Sequence, residues 1–150
     1  MPTAEIWADG ACSGNPGPAG WGYLVKIAIS KSYHEYTGSG YIESGTNNIA
    51  ELTAAIEALR SLKQQCSAIV VYSDSKYVIE GITNWIHGWK KRNWLTSSKK
   101  PVANKALWED LDRLNSSLNV KWVWVKGHAG NYNNEVVDQL AVSEYKKHME

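Results

Sequence analysis

Between Ile69 and Tyr72 four consecutive residues are apolar, and the run ends at once in Ser73 and Asp74. A strand with no polar alternation has no face to give to water, so it must lie inside a sheet covered on both sides. The preceding strands have a different character. Thr3 to Asp9 sets Ala4, Ile6 and Ala8 against Glu5 and Trp7, and it stops at a turn rich in Gly and Pro. Trp21 to Ile29 reads as a second strand and Tyr33 to Ile42 as a third, antiparallel to it.

Helical periods fill the rest. Ile49, Leu52, Ile56, Leu59 and Leu62 recur at helical spacing, with Asn48 as the expected N-cap and Glu51 three residues later. Val78, Ile82, Trp85 and Trp89 mark a second helical face, and Leu107, Leu111, Leu114 and Leu118 a third. Val120 to Val125 reads as a strand, and Val137, Leu140, Ala141 and Tyr145 share a face of a closing helix. The order βββαβααβα implies an α/β fold, a mixed sheet flanked by helices. At 150 residues one domain is expected, with no repeat or linker to divide it.

Composition excludes two classes. A hydrophobic content of 43% with eight Trp and eight Tyr is not that of a disordered chain, and no apolar run is long enough to span a bilayer or act as a signal peptide. A cytoplasmic protein with no membrane partner is the expectation. Cys12 and Cys66 then read as free thiols.

Four carboxylates stand out by position: Asp9, Glu51, Asp74 and Asp138, in the contexts DGACSGNPG, TNNIAE, YSDSKY and GHAGNYNNEVVD. Asp9 and Asp74 fall at the carboxyl ends of expected strands, where open α/β sheets place their ligands. Each has an ordinary alternative. Asp9 can open a turn, Asp74 can cap a helix, Asn48 and Glu51 resemble a capping box, and Asp138 can be a plain exposed helix residue. Four acids in compatible positions outweigh those alternatives. Carboxylates converging on one point repel strongly unless a hard cation lies among them, so the cluster points to Mg²⁺ and phosphodiester hydrolysis.

The net charge of +1 conceals an asymmetry, because Trp85 to Lys105 holds six basic residues and no acid, leaving ten Lys and Arg against fifteen acids elsewhere. A solvated helix end is the bland reading of a charge run. Here Trp85, Trp89 and Trp94 are interleaved with Lys90, Lys91 and Arg92, and flat rings beside phosphate-seeking cations favour nucleic acid.

Nearly the whole chain resembles the type 1 ribonucleases H, endonucleases that cut the RNA strand of RNA/DNA hybrids. DGACSGNPGP, TNNxxE, YSDSxY, WIHGWKKRNW and VKGHAG match that family in order. The resemblance implies a mixed five-stranded sheet, a single domain over residues 1–150, and a basic handle at about 85–105 that includes Lys90, Lys91, Arg92, Lys99 and Lys100. It makes Asp9, Glu51, Asp74 and Asp138 the metal-binding acids. Two Mg²⁺ ions about 3.5–4 Å apart, with Mn²⁺ as a substitute, would activate water and stabilise the departing 3′ oxygen, leaving 5′-phosphate and 3′-hydroxyl ends. Asp9 would bridge them, Glu51 and Asp74 would complete one shell, and Asp138 the other.

The same resemblance gives His128, within Lys126-Gly127-His128-Ala129-Gly130, a role in proton transfer or product release, although a lone loop His is more often a surface residue. RNA-strand contacts would come from Cys12, Ser13, Asn15, Asn47, Asn48 and Lys76, reading 2′-hydroxyls. DNA-strand contacts would come from Thr46, Trp85, Trp89, Ser97 and Asn104. The chain departs from the family at Ser44 and Ile49, where basic residues are frequent, and at Lys76 and Glu80, where uncharged ones are common. Those departures weaken the expected phosphate pocket and leave the acids untouched. Two alternatives remain, a two-metal DNA nuclease or resolvase of related fold and a catalytically silent hybrid-binding module. A monomer is expected.

Overall fold

The structure, a computed structural model, describes residues 1–127 and 130–149. Its five strands are β1 (Thr3–Cys12), β2 (Gly17–Ile29), β3 (Ser32–Gly45), β4 (Ala68–Ser73) and β5 (Val120–Trp124), in the spatial order β3-β2-β1-β4-β5. The three long strands pair antiparallel, while β1–β4 and β4–β5 are parallel. The sheet is therefore mixed, as the element order implied.

One face is covered by α1 (Asn47–Arg60). Its Leu52, Ile56 and Leu59 are buried against Ala4, Ile6, Val25 and Ile27 of the sheet, together with Ile69 and Val71 of β4. Each such aliphatic side chain contributes about 1.5–3 kcal/mol by leaving water, which explains why this helix is anchored along its whole length. The other face carries α5 (Tyr132–Lys147), whose Val137 is seated with Trp7 and Leu24. Gly22 is what lets α5 lie so low, because a Cβ there would stand 2.7 Å from the Leu140 Cβ and 3.0 Å from the Val137 carbonyl. β4 is covered less completely than its apolar run implied: Ile69, Val71 and Ser73 are buried on the face that α1 covers, while Ala68, Val70 and Tyr72 on the other face are only partly buried, because α5 packs over β1, β2 and β3.

Three other expectations are corrected. The α1 N-cap is Thr46, not Asn48: the Thr46 Oγ1 accepts the Ile49 N–H at 3.1 Å. The helix thus starts two residues earlier, Asn47 and Asn48 are exposed in its first turn, and Glu51 is not held in a capping box. Strand β1 runs three residues past Asp9, because β2 keeps pairing with it to Cys12↔Ala19 after β4 has stopped. Trp85 does not share the buried face of Val78 and Ile82.

That last difference has a local cause. Between α2 (Lys76–Glu80) and α3 (Ile86–Lys91) lies a π-helical turn, Gly81–Trp85. A π turn holds more residues than an α turn, so the phase of the apolar stripe slips there. Ile86 takes the inward position and Trp85 is turned out, 43% exposed. The turn is built around Trp108 of α4 (Lys105–Ser117), whose ring occupies the space a side chain at residue 81 would need. Trp108 is fully buried, and its indole N–H donates to the Tyr77 hydroxyl at 3.1 Å.

Candidate active site

The parallel pairing of β1 with β4 ends at Trp7↔Tyr72, whose rings stack 4.9 Å apart. Two residues further along each strand stand Asp9 and Asp74, on the same side of the sheet as that aromatic pair because side chains alternate with period two. β4 has already turned away at this point. Ser75 caps α2 by accepting the Val78 N–H, so Asp74 occupies a strand-to-helix corner open to the sheet end.

Glu51 arrives from the opposite face. Gly10 has no side chain, and α1 rests on it so closely that a Cβ there would overlap the Ala50 backbone and lie 2.5 Å from the Glu51 nitrogen. The Gly10 N–H donates to Asp9 Oδ1 at 2.9 Å and to Glu51 Oε1 at 2.5 Å. One backbone donor therefore ties the two carboxylates together. An oxygen from each of Asp9, Glu51 and Asp74 lies within 4.8 Å of the others. Asp138, one residue beyond the buried Val137 anchor of α5, stands outside that tight set but close enough for its charge to act on Asp9.

The electrostatics of this group are unfavourable by construction. Burial pushes the Asp9 carboxyl up to about 8; a hydrogen bond from Glu51 pulls the other way, and the charges of Asp74 and Asp138 add to the rise. Burial likewise holds Glu51 well above the usual carboxylate range, and the Asp9 charge reinforces it. Asp9 and Glu51, both disinclined to ionise, together with the adjoining Asp74 offer crowded oxygens of a hard-ligand type, the donor set of a divalent-cation site.

A stability test follows. Between the ordinary carboxylate value and about 8, Asp9 binds more protons in the folded chain than in the unfolded one. In EDTA the unfolding free energy is expected to fall as pH rises through that window, by up to about 1.4 kcal/mol per pH unit for each such group, and the melting temperature with it. Mg²⁺ should restore most of the loss at the alkaline end by replacing the protons. Calorimetric melts with and without the cation check this, and a flat profile in EDTA would count against the crowding.

The remaining expected residues fall into two groups. On the loop side of the acids, Cys12 Sγ lies 3.3 Å from the Gly45 carbonyl, Ser13 N–H bonds the Pro18 carbonyl at 2.8 Å, and Asn15 Oδ1 accepts the Asn47 N–H at 3.1 Å. These contacts bind the β1–β2 loop to the start of α1, and bring Asn15, Asn47, Asn48 and Thr46 together beside Glu51. The aromatic and basic residues gather elsewhere, around α3. Trp89 is wedged among Trp85, Trp94 and Trp108 at centroid distances of 6.1, 6.3 and 5.2 Å. Lys91, Arg92, Ser97, Lys99 and Lys100 are exposed on this segment, and so is Lys90, which also pairs with Asp112 at 3.1 Å. Asn104 joins the segment to the core, donating to the Tyr77 hydroxyl at 3.1 Å. Lys76 lies over the Trp124 ring, its Nζ 4.9 Å from the centroid. His128 lies outside the described residues.

Sequence reasoning overlooked Gly10, Tyr77 and Trp124. Gly10 looked like part of a turn and is a helix seat; Tyr77 is the common acceptor of Asn104 and Trp108; Trp124 donates its indole N–H to the Asp74 carbonyl at 3.0 Å. Only the DG pair itself could have hinted at the first of these.

The comparisons agree with this geometry. The family model described as RNase H matches residues 2–146. The chain is 56% identical over 137 residues to a ribonuclease H of Methylobacillus flagellatus, covering 91% of this chain and 87% of that one. It is 51% identical over 141 residues to a ribonuclease H of Erythrobacter litoralis, covering 94% of each. Among solved structures it is similar to LC9-RNase H1, a type 1 RNase H, with a TM-score of 0.86 and 32% identity over 98% of this chain and 74% of that one. It is similar also to LC11-RNase H1, solved in complex with an RNA/DNA hybrid, with a TM-score of 0.71 and 25% identity over 98% and 99% of the two chains. A convergence of acids at the end of a β3-β2-β1-β4-β5 sheet, with sequence likeness along almost the full length, places this chain in the RNase H family as a type 1 member.

Proposed function

We propose that the protein hydrolyses the RNA strand of RNA/DNA hybrids, with divalent cations held by Asp9, Glu51, Asp74 and Asp138. The observation that carries this reading is the meeting of Asp9, Glu51 and Asp74 within 4.8 Å, delivered by three different elements. Mg²⁺, or Mn²⁺ in its place, would supply a hydroxide-like water and Lewis-acid stabilisation of the leaving oxygen, yielding 5′-phosphate and 3′-hydroxyl ends. Asp9, the most buried of these acids, would hold the cations together with its neighbours.

The protein's own groups do the rest. The Gly10 amide, donating to both Asp9 and Glu51, keeps two ligands oriented without a side chain of its own. Asn15, Asn47, Asn48, Cys12, Ser13 and Lys76 line the approach for the RNA strand, where amide groups can answer a 2′-hydroxyl that both donates and accepts. The Thr46 oxygen accepts from Ile49, which leaves its O–H free to donate to a phosphate of the DNA strand. Asn104, Trp85, Trp89 and Ser97 would continue that strand's path, and Lys91, Arg92, Lys99 and Lys100 would hold its phosphates. His128 is assigned proton traffic from its motif. The enzyme proposed is monomeric and cytoplasmic; among the described residues no helix is long and apolar enough to cross a membrane.

The test is cleavage of an end-labelled RNA strand in a hybrid, beside duplex RNA, duplex DNA and single-stranded RNA, in Mg²⁺ or EDTA. Cutting confined to the hybrid and lost in EDTA is the expected result. Cutting of duplex DNA would indicate a DNA nuclease on the same fold, and metal-independent binding without cutting a silent module.

A further inference from the structure

Where β4 ends, the backbone carbonyl of Asp74 has left the ladder and has no strand partner. The last main-chain rung is the Val125 N–H to the Ser73 carbonyl at 2.9 Å, and the next donor along is a side chain, the indole N–H of Trp124 at 3.0 Å from the Asp74 carbonyl. The same indole presents its face to Lys76, two residues after Asp74, with Nζ 4.9 Å from the ring centroid. Lys76, Ile79, Glu80 and Trp124 together line a cavity of about 230 Å³. On the far side, Gly127 leaves room for the Asp74 carboxylate, since a Cβ there would stand 2.7 Å from Oδ2.

A lysine two residues from a cation ligand is a liability. Its ammonium can reach a neighbouring carboxylate and compete with a divalent ion for it, and at short range the two positive charges repel. Among the described residues Asp74 makes no ion pair within 4.0 Å, and Lys76 makes none either. The attraction of an ammonium for an indole face, the strongest of the aromatic faces, accounts for where it lies instead.

We propose that Trp124 is a positioning residue with two jobs: its N–H fixes the strand-end carbonyl of Asp74, and its ring parks Lys76 away from the Asp74 carboxylate so that the cation can occupy it. This deepens the reading of Asp74 as a cation ligand and rests on it. Trp124 touches neither cation nor substrate; it acts through Asp74 and Lys76. The 43% exposure of so large a ring beside a charged cavity is then explained by what sits on it.

The experiment is a double-mutant cycle read by calorimetric Mg²⁺ titration of the free protein, with Asp74→Asn as the control for the site. Trp124→Leu should weaken Mg²⁺ binding about tenfold. Lys76→Met should change the wild-type affinity by less than about twofold, yet restore most of the tenfold loss in the Trp124→Leu background. Trp124→Phe, which keeps a ring and is the safer variant for folding, should retain affinity within about threefold while lowering the cleavage rate more than the KM for hybrid. Additive effects of Trp124→Leu and Lys76→Met, in proteins with native circular dichroism, would overturn the proposal. If Asp74→Asn binds Mg²⁺ as well as wild type, the assignment of Asp74 as a ligand is what has failed.

Discussion

Asp9→Asn is expected to abolish hybrid cleavage and, in EDTA near pH 8, to make the protein more stable. The two effects share one cause. Asp9 is 4% exposed, and its neighbours Glu51, Asp74 and Asp138 are all acidic. A buried carboxylate in such company, once ionised, stores electrostatic free energy that a proton or a cation relieves. Asparagine has nearly the same shape and retains the oxygen that accepts the Gly10 N–H, so packing should survive. Cleavage should fall by about 10³-fold or more, which corresponds to at least about 4 kcal/mol of lost transition-state stabilisation. The unfolding free energy in EDTA should rise by about 1 kcal/mol or more, and the advantage should vanish in Mg²⁺. Urea titrations in the two buffers, beside single-turnover cleavage rates, measure both. A variant less stable than wild type in EDTA would mean that the hydrogen bonds of Asp9 outweigh its repulsions.

The second large effect concerns Gly10→Ala, a change that adds one methyl group. That methyl would fall against the carbonyl carbon of Ala50 and 2.5 Å from the Glu51 nitrogen, both backbone atoms of a helix anchored by Leu52, Ile56 and Leu59. Neither β1, still paired with β2 at Gly10↔Trp21, nor α1 can yield without disturbing the core, so a loss of about 3 kcal/mol or more is expected. Any molecules that do fold should have Glu51 displaced from the cluster and cleave slowly. Gly88→Ala is the contrast. Its nearest neighbours are the guanidinium atoms of Arg92, at 3.0 Å and beyond, which can swing away, and it lies in α3. There the higher helix propensity of Ala should raise stability by about 0.5–1 kcal/mol. Equal effects of the two substitutions in denaturant titrations would remove the steric account of Gly10.

Much of the architecture was legible because its signals are local. The period of two in Thr3–Asp9, the unbroken run Ile69–Tyr72 and the helical spacing of Leu52, Ile56 and Leu59 each follow from which residues can leave water together. The misreadings occurred where two local signals compete. Thr46 and Asn48 are both good caps, and only the docking of α1 on Gly10 settles which one is used. The stripe Val78, Ile82, Trp85 assumed an unbroken α-helix, while Trp108, distant in sequence, imposes a π turn on it. Lys90, exposed like its basic neighbours, also pairs with Asp112 of α4, a contact that no local signal announces.

For the site the division is similar. The chain alone carries the identity of the four acids, the basic segment interleaved with tryptophans, and an order of elements that permits only a few mixed sheets, because composition and periodicity are properties of neighbours along the chain. What folding decided is that Asp9, Glu51 and Asp74 meet within 4.8 Å, that one Gly10 amide serves two of them, and that Trp124 and Lys76 stand guard at the third. Those facts depend on the register of β1 against β4 and on how low α1 and α5 ride on the sheet. Such distances are set by packing between residues tens of positions apart, and nothing in the local sequence encodes them.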